Sequence, residues 1–154
     1  MEIGGVLAIV GAVLAVVLTG IGSAIGMAWV QQAAAGVVSE EPEKYGKTLI
    51  LQLIPSSNAL YGFVVGFLVI FQVLFSGVTY SVVEGLMVLG ICLPIAIVGM
   101  IACLCQAKVC VSGIIMVGKK AELSGRALTM AVFIELFALF ALIISVLGIF
   151  QIGG

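Results

Sequence analysis

Polar residues in this chain collect in three short breaks, separated by four long apolar stretches. Ile3 to Ser39 carries no charge, and neither do Thr48 to Val83 or Gly85 to Ala107. Ala127 to Gly154 carries one charge, that of Glu135. Each stretch exceeds the ~18–20 apolar residues that cross ~30 Å of hydrocarbon. The pattern predicts helices at about residues 3–37, 46–75, 83–117 and 124–151. The first break, Ser39-Glu40-Glu41-Pro42-Glu43-Lys44, stops a helix with Pro42 and its charges. The second is Ser76-Gly77-Val78-Thr79-Tyr80-Ser81 and the third Gly118-Lys119-Lys120-Ala121-Glu122. Short connections make antiparallel neighbours. The expected fold class is therefore an all-α membrane protein, four transmembrane helices arranged as two helical hairpins in a single membrane domain, 1–76 and 77–154.

The hairpins read as duplicates. Gly22, Gly36, Gly46 and Lys47 match Gly99, Gly113, Gly125 and Arg126, at an offset of 77 before the break and 79 after it. The second offset aligns Glu135 with Ser56, so one copy has the mid-span carboxylate and the other does not. Small residues form a stripe in the first helix (Gly4, Ala8, Gly11, Ala15, Gly22, Gly26, Ala33) and another in the third (Cys92, Ala96, Gly99, Cys103, Ala107, Cys110). Three-and-four spacing puts each stripe on one face, where membrane helices approach closely. Paired stripes are expected to pack copies of the chain into a multimer.

Composition narrows the function. The chain of 154 residues is 64% hydrophobic and 8% charged, against about 25% charged in soluble domains. The apolar run after Met1-Glu2-Ile3 is too long, and lacks the basic start, for a cleavable signal, and it reads as the first span. Histidine is absent, which removes the commonest general base and metal ligand. The cysteines Cys92, Cys103, Cys105 and Cys110 all fall in the third span, where small apolar packing is favoured over a thiol metal site or a disulfide. Lys44, Lys47, Lys119, Lys120 and Arg126 flank the first and third breaks. The positive-inside rule then puts loops 38–46 and 118–125 in the cytoplasm, with both termini outside. Lys108, deeper in the third span, is expected to snorkel toward the cytoplasmic surface.

Glu135 carries the chemistry. A charged carboxylate at a bilayer centre costs roughly 2.5–3.5 kcal/mol on insertion scales, so an intramembrane acid marks an ion or proton site by default. Glu135 lies nine residues past Arg126, about 13–14 Å along a helix. Ser57 and Asn58 lie ten and eleven residues past Lys47, and Gln106 thirteen before Lys119, about 15–20 Å from their charged ends. Polar residues from three helices thus share one slab. Ser57, Asn58 and Gln106 add neutral oxygens to the carboxylate. Pro55 cannot donate a backbone bond, which frees the Leu51 carbonyl and can aim the Ile54 carbonyl inward. Hard oxygens around one carboxylate suit a hard cation. Tyr61, one turn past Ser57, can hold the carboxylate with its hydroxyl. Packing glue between helices is the blander reading of Ser57, Asn58 and Gln106, worth about 0.6 kcal/mol each.

Leu49 to Phe63, LILQLIPSSNALYGF, resembles the second helix of the bacterial V-type (A/V-type) ATPase rotor proteolipid of the four-span, sodium-binding type. Gln106-Ala107-Lys108-Val109 and Glu135 match that family's third and fourth helices. The resemblance implies a rotor-ring component that carries Na⁺, or alternatively H⁺, on Glu135 while ATP is hydrolysed in other subunits. It implies ion ligands at Glu135, Gln106, Ser57, Asn58 and the Ile54 backbone carbonyl, with Tyr61 holding the carboxylate. Ser57 stands where sodium-binding members have threonine, and Asn58 where they have glutamine. The implied partners are identical subunits in a homo-oligomeric ring, a stator subunit with an essential arginine, a central stalk at the cytoplasmic loops, and membrane lipid. The first and third helices would line the inside of the ring, the second and fourth its outside. No nucleic acid, organic cofactor or catalytic site of its own is expected, and no phosphate-binding glycine loop is present in the sequence. The implied location is a bacterial plasma membrane. The competing reading is a small secondary cation/proton antiporter, which would want an aromatic-lined cavity beside Glu135.

Overall fold

The computed structural model describes residues 2–75, 77 and 79–152. Four rods form in the places expected from the apolar stretches. Helix α1 runs Ile3–Glu40, and α4 runs Val82–Lys119. The second rod is broken: α2 (Tyr45–Leu53) gives way to a 3₁₀ turn at Ile54–Ser56 before α3 (Ser57–Phe75). The fourth rod is α5, Ser124–Ile152. The break in the second rod follows from Pro55, which lacks the N–H that a continuous helix needs. α4 contains Pro94 without breaking. One turn before it, the Ile91 carbonyl accepts the Ser145 hydroxyl of α5 at 2.7 Å. At 38 residues, α1 and α4 are each about 57 Å long, well beyond ~30 Å of hydrocarbon.

The termini of these rods revise the repeat. Val82 follows Ile3, and Lys119 follows Glu40, by 79 positions. The 3₁₀ turns Pro42–Lys44 and Ala121–Leu123, and the helix starts Tyr45 and Ser124, keep the same interval. A single offset of 79 therefore relates the hairpins throughout. The 77-residue match of the glycines in the first span arises from the density of small residues there, not from the register of the helices.

The small-residue stripes also have a different partner from the one expected. They face each other within one chain, and α1 against α4 is the largest helix contact. Gly4, Ala8, Gly11, Ala15, Gly22 and Gly26 are buried on α1, and Cys92, Ala96, Gly99, Cys103, Ala107 and Cys110 on α4. A Cβ at Gly22 would stand 2.9 Å from the Met100 carbonyl oxygen. The four cysteines are free, and only Cys105 is exposed.

Two apolar clusters hold the rods together. One joins Ala8, Ala12, Val65, Val69, Val88 and Ile95 toward the middle connection. The other joins Val30, Ala34, Leu51, Ile114, Val117 and Ala127 toward the charged breaks. At that second end Lys44 binds Glu41 at 2.6 Å and also donates to the Gly118 carbonyl, tying the first connection to the C-terminal end of α4. A cation there meets the negative end of the helix dipole. Of the middle connection, Ser76 and Val78 lie outside the described residues. Ser81 and Glu84 form a capping box that starts α4. Beside it the buried Tyr80 donates to Gln72 of α3 at 3.0 Å. Burial, and then the Glu84 carboxylate, push the Tyr80 phenol up and keep it a donor.

Candidate functional site: one carboxylate in a layer of polar side chains

Buried polar groups gather between the two apolar clusters. Thr19 and Ser23 of α1, Asn58 of α3 and Gln106 of α4 are all buried there. Glu135 of α5 is half-buried among them and also borders an open groove of 450 Å³, lined by Ile50, Leu53, Ile54, Ser56, Ser57, Leu60 and Val132. The carboxylate therefore has a polar inner side and an apolar outer side.

Three side chains donate to it. Ser57 and Tyr61 each reach Oε1 at 2.6 Å, and the Gln106 amide nitrogen reaches Oε2. Ser57 and Tyr61 share one face of α3 because they lie one turn apart. Ser57 opens α3 directly after the 3₁₀ turn, so its placement depends on Pro55. The Ile54 carbonyl accepts both the Ser57 N–H and, at 2.9 Å, the Ser57 hydroxyl.

Ser57 has only one hydroxyl proton, yet two acceptors lie within reach. With Glu135 ionised, that proton points at the carboxylate. With Glu135 protonated, the acid can donate to Ser57, which then donates to Ile54. The same heavy-atom arrangement thus serves both charge states.

The two amides behave differently from each other. Gln106 turns its nitrogen, not its oxygen, to Glu135 and to the Ala131 carbonyl at 3.2 Å. Its oxygen accepts from the Asn58 amide at 3.1 Å. A half-turn of the Gln106 amide would exchange the two atoms. Asn58 is fully buried and makes its bond to Gln106 rather than to the carboxylate. Its own oxygen, Oδ1, is the one buried side-chain polar atom without a partner among the described residues. An orphaned buried acceptor costs roughly 1–3 kcal/mol, and a cation relieves that cost. The donor set of carboxylate, hydroxyl, backbone carbonyl and amide oxygen fits a hard cation such as Na⁺.

All six residues named from the sequence meet in this layer. One contributor was not singled out for it: Cys103 donates its thiol to the Pro55 carbonyl at 3.0 Å and approaches the Ser23 hydroxyl at 3.5 Å. It anchors the 3₁₀ turn to α4. Its place in a small-residue stripe gave packing as its only sequence signal.

Four long apolar helices define a multi-pass membrane protein, and Glu135 is a hydrogen-bonded carboxylate within its spans. The profile of the ATP synthase C-subunit family matches the chain twice, over residues 10–69 and 89–148, one match to each hairpin. The chain is 40% identical over 144 residues to the V-type sodium ATPase subunit K of Enterococcus hirae, covering 94% of this chain and 90% of that protein. It is 31% identical over 149 residues to the A-type ATP synthase subunit K of Methanocaldococcus jannaschii, covering 95% of this chain and 64% of that protein. The chain belongs to the ATP synthase C-subunit family. It is an ion-translocating rotor subunit of a rotary ATPase and is not itself catalytic.

Proposed function

We propose that this protein carries Na⁺ on Glu135 and that H⁺ competes for the same carboxylate. Ser57, Asn58, Gln106 and the Ile54 carbonyl complete the proposed cation shell, and Tyr61 holds the carboxylate. The observation that carries the reading is the unpaired oxygen of Asn58, whose amide donates to Gln106, which in turn donates to a carboxylate already supplied with donors. A protonated acid has one O–H to place, and Ser57 already offers an acceptor for it, so the Asn58 oxygen is surplus to a site serving protons alone. The relative from Enterococcus hirae, a sodium ATPase subunit by its name, supports the same choice.

Loading follows from charge. An occupied Glu135 is neutral and can face the apolar groove toward lipid. An emptied one pays the cost of a bare charge unless a positive partner stands opposite, and the stator arginine is proposed to be that partner. Copies of the chain form the rotor ring, the central stalk docks on loops 38–46 and 118–125, and these loops face the cytoplasm beneath a bacterial plasma membrane. The hairpins 1–76 and 77–154 act as one membrane domain. The antiporter reading is weakened by the groove beside Glu135, which is lined by aliphatic and serine side chains without an aromatic ring.

Carbodiimide modification tests the ion. The reagent attacks the protonated acid, so bound Na⁺ should protect Glu135, and protection should weaken as pH falls. Absence of protection by millimolar Na⁺ at every pH tested would leave a proton rotor.

A further inference from the structure

Cys103 borders the polar layer without a hydrogen bond to Glu135. Its thiol donates to the Pro55 carbonyl at 3.0 Å, and its sulfur stands 3.5 Å from the Ser23 hydroxyl. A thiol has one proton to give, and a carbonyl can only accept. The proton therefore points at Pro55, and the sulfur is left to accept from Ser23. Among the described residues Cys103 is the one cysteine with side-chain hydrogen bonds, whereas Cys92 and Cys110 are equally buried and only pack.

Pro55 is where such a bond has leverage. The proline ring locks φ, and the peptide planes on either side are rigid. One soft dihedral, the ψ of Pro55, then relates the Pro55 carbonyl to the Ile54 carbonyl before it. Holding the first sets the direction of the second. The Ile54 carbonyl in turn accepts the Ser57 N–H and hydroxyl, and Ser57 donates to Glu135. We infer that Cys103 is a positioning residue for the cation site: its thiol sets the 3₁₀ turn at Pro55 and, through it, the Ile54 carbonyl and Ser57. The inference rests on the Na⁺ reading and concerns a side chain outside the proposed shell.

The same bond braces the second rod against α4. Cys103 and Gln106 lie one turn apart on α4, and Pro55 and Asn58 one turn apart on the second rod. Cys103 meets Pro55, and Gln106 meets Asn58. The two rods run antiparallel, so these bonds cross like diagonal braces. Sliding either rod along the other stretches one of them. Ser23 ties the sulfur to α1 as well, which brings a third rod to bear on the turn. A mis-set turn penalises Na⁺ more than H⁺. A hard cation needs several oxygens at once at fixed distances, whereas a proton needs the carboxylate and one acceptor.

Na⁺ protection of Glu135 tests the role. Carbodiimide labelling of the full-length protein in membranes, read by mass spectrometry of the intact chain, gives the Na⁺ concentration that halves the reaction. Losing a group that orients metal ligands typically costs about 10–100-fold in metal affinity, and a thiol is a weak donor, so Cys103→Ala should raise that concentration about tenfold. Cys103→Ser keeps a donor in the same place and should recover most of the loss. Cys92→Ala removes a buried thiol from the same stripe, about three turns away and clear of the 3₁₀ turn, and should leave the value unchanged. An unchanged value in Cys103→Ala overturns the inference and spares the Na⁺ reading. So does an equal rise in Cys92→Ala, or no recovery in Cys103→Ser. No protection of the wild type at any pH overturns both. The wild-type chain supplies a second readout should Cys103→Ala fail to fold. A hydrogen-bonded S–H stretches at a lower infrared frequency than a free one. One of the four thiols should absorb below the other three, and Cys103→Ser should remove that band alone. Four thiols at a common frequency overturn the inference.

Discussion

Glu135 has meaning only through its neighbours. Its two oxygens receive donors from α3 and α4, so its geometry depends on packing between three helices. Glu135→Gln keeps the shape and removes the charge. It should leave helix content and assembly intact, since a neutral amide is cheaper than a carboxylate at this depth. Ion transport by the reconstituted ATPase should fall to background, read as ATP-driven Na⁺ uptake into vesicles, and near-normal uptake would remove Glu135 from the mechanism. These residues were legible in the sequence because a polar side chain in an apolar span is conspicuous. Which atom of each amide faces the carboxylate was not. Sequence places Asn58 and Gln106 at one depth, but the bond between them, and the Asn58 oxygen it leaves unpaired, depend on the angular setting of α3 against α4.

Among the elements, the four spans and the break at Pro55 could be read from apolar length and from proline chemistry. The partner of the small-residue stripes could not. Spacing shows that Gly22 shares a face with Gly26, but it does not say whether that face meets the same chain or another. The structure sets Gly22 against the Met100 backbone of α4. Gly22→Leu should therefore damage the protomer before it affects any assembly. Overpacking costs typically about 1–3 kcal/mol, and here the obstacle includes backbone, which yields less readily than a side-chain tip. Thermal unfolding followed by circular dichroism in mild detergent should show a clear fall in midpoint. An unchanged midpoint would mean that α1 and α4 separate more easily than their contact suggests. The ties made by Cys103 to Pro55 and by Lys44 to Gly118 escaped the sequence for the same reason, since each joins residues distant in the chain through a helix crossing.

For the whole molecule, duplication sets both the shape and the gearing. Two hairpins related by 79 residues carry one mid-span carboxylate between them, because Ser56 occupies the place of Glu135 in the first. With Glu135 as the proposed ion site, a ring of such chains has one site for every four helices, half the number that single hairpins with a site each would give at equal helix count. Fewer ions then cross per turn, so each receives a larger share of the work of ATP hydrolysis. Moving one charge through the membrane potential takes roughly 2.3 kcal/mol per 100 mV, and a rotor with few sites can pump against a steeper gradient. This gearing requires a closed ring in which every copy is equivalent. Wide apolar faces remain on the outer surfaces of the single chain, including Phe63, Phe67 and Phe71 stacked along α3 and Phe133, Phe137 and Phe140 along α5. The lateral share of that surface is what neighbouring copies would cover, and lipid would cover the remainder. Native mass spectrometry from a mild detergent should show a single large homo-oligomer. Its mass should be a whole multiple of the 15.9 kDa chain, with no ladder of intermediate sizes. A monodisperse monomer or dimer in several such detergents would contradict the rotor assignment at its base, whatever ion Glu135 binds.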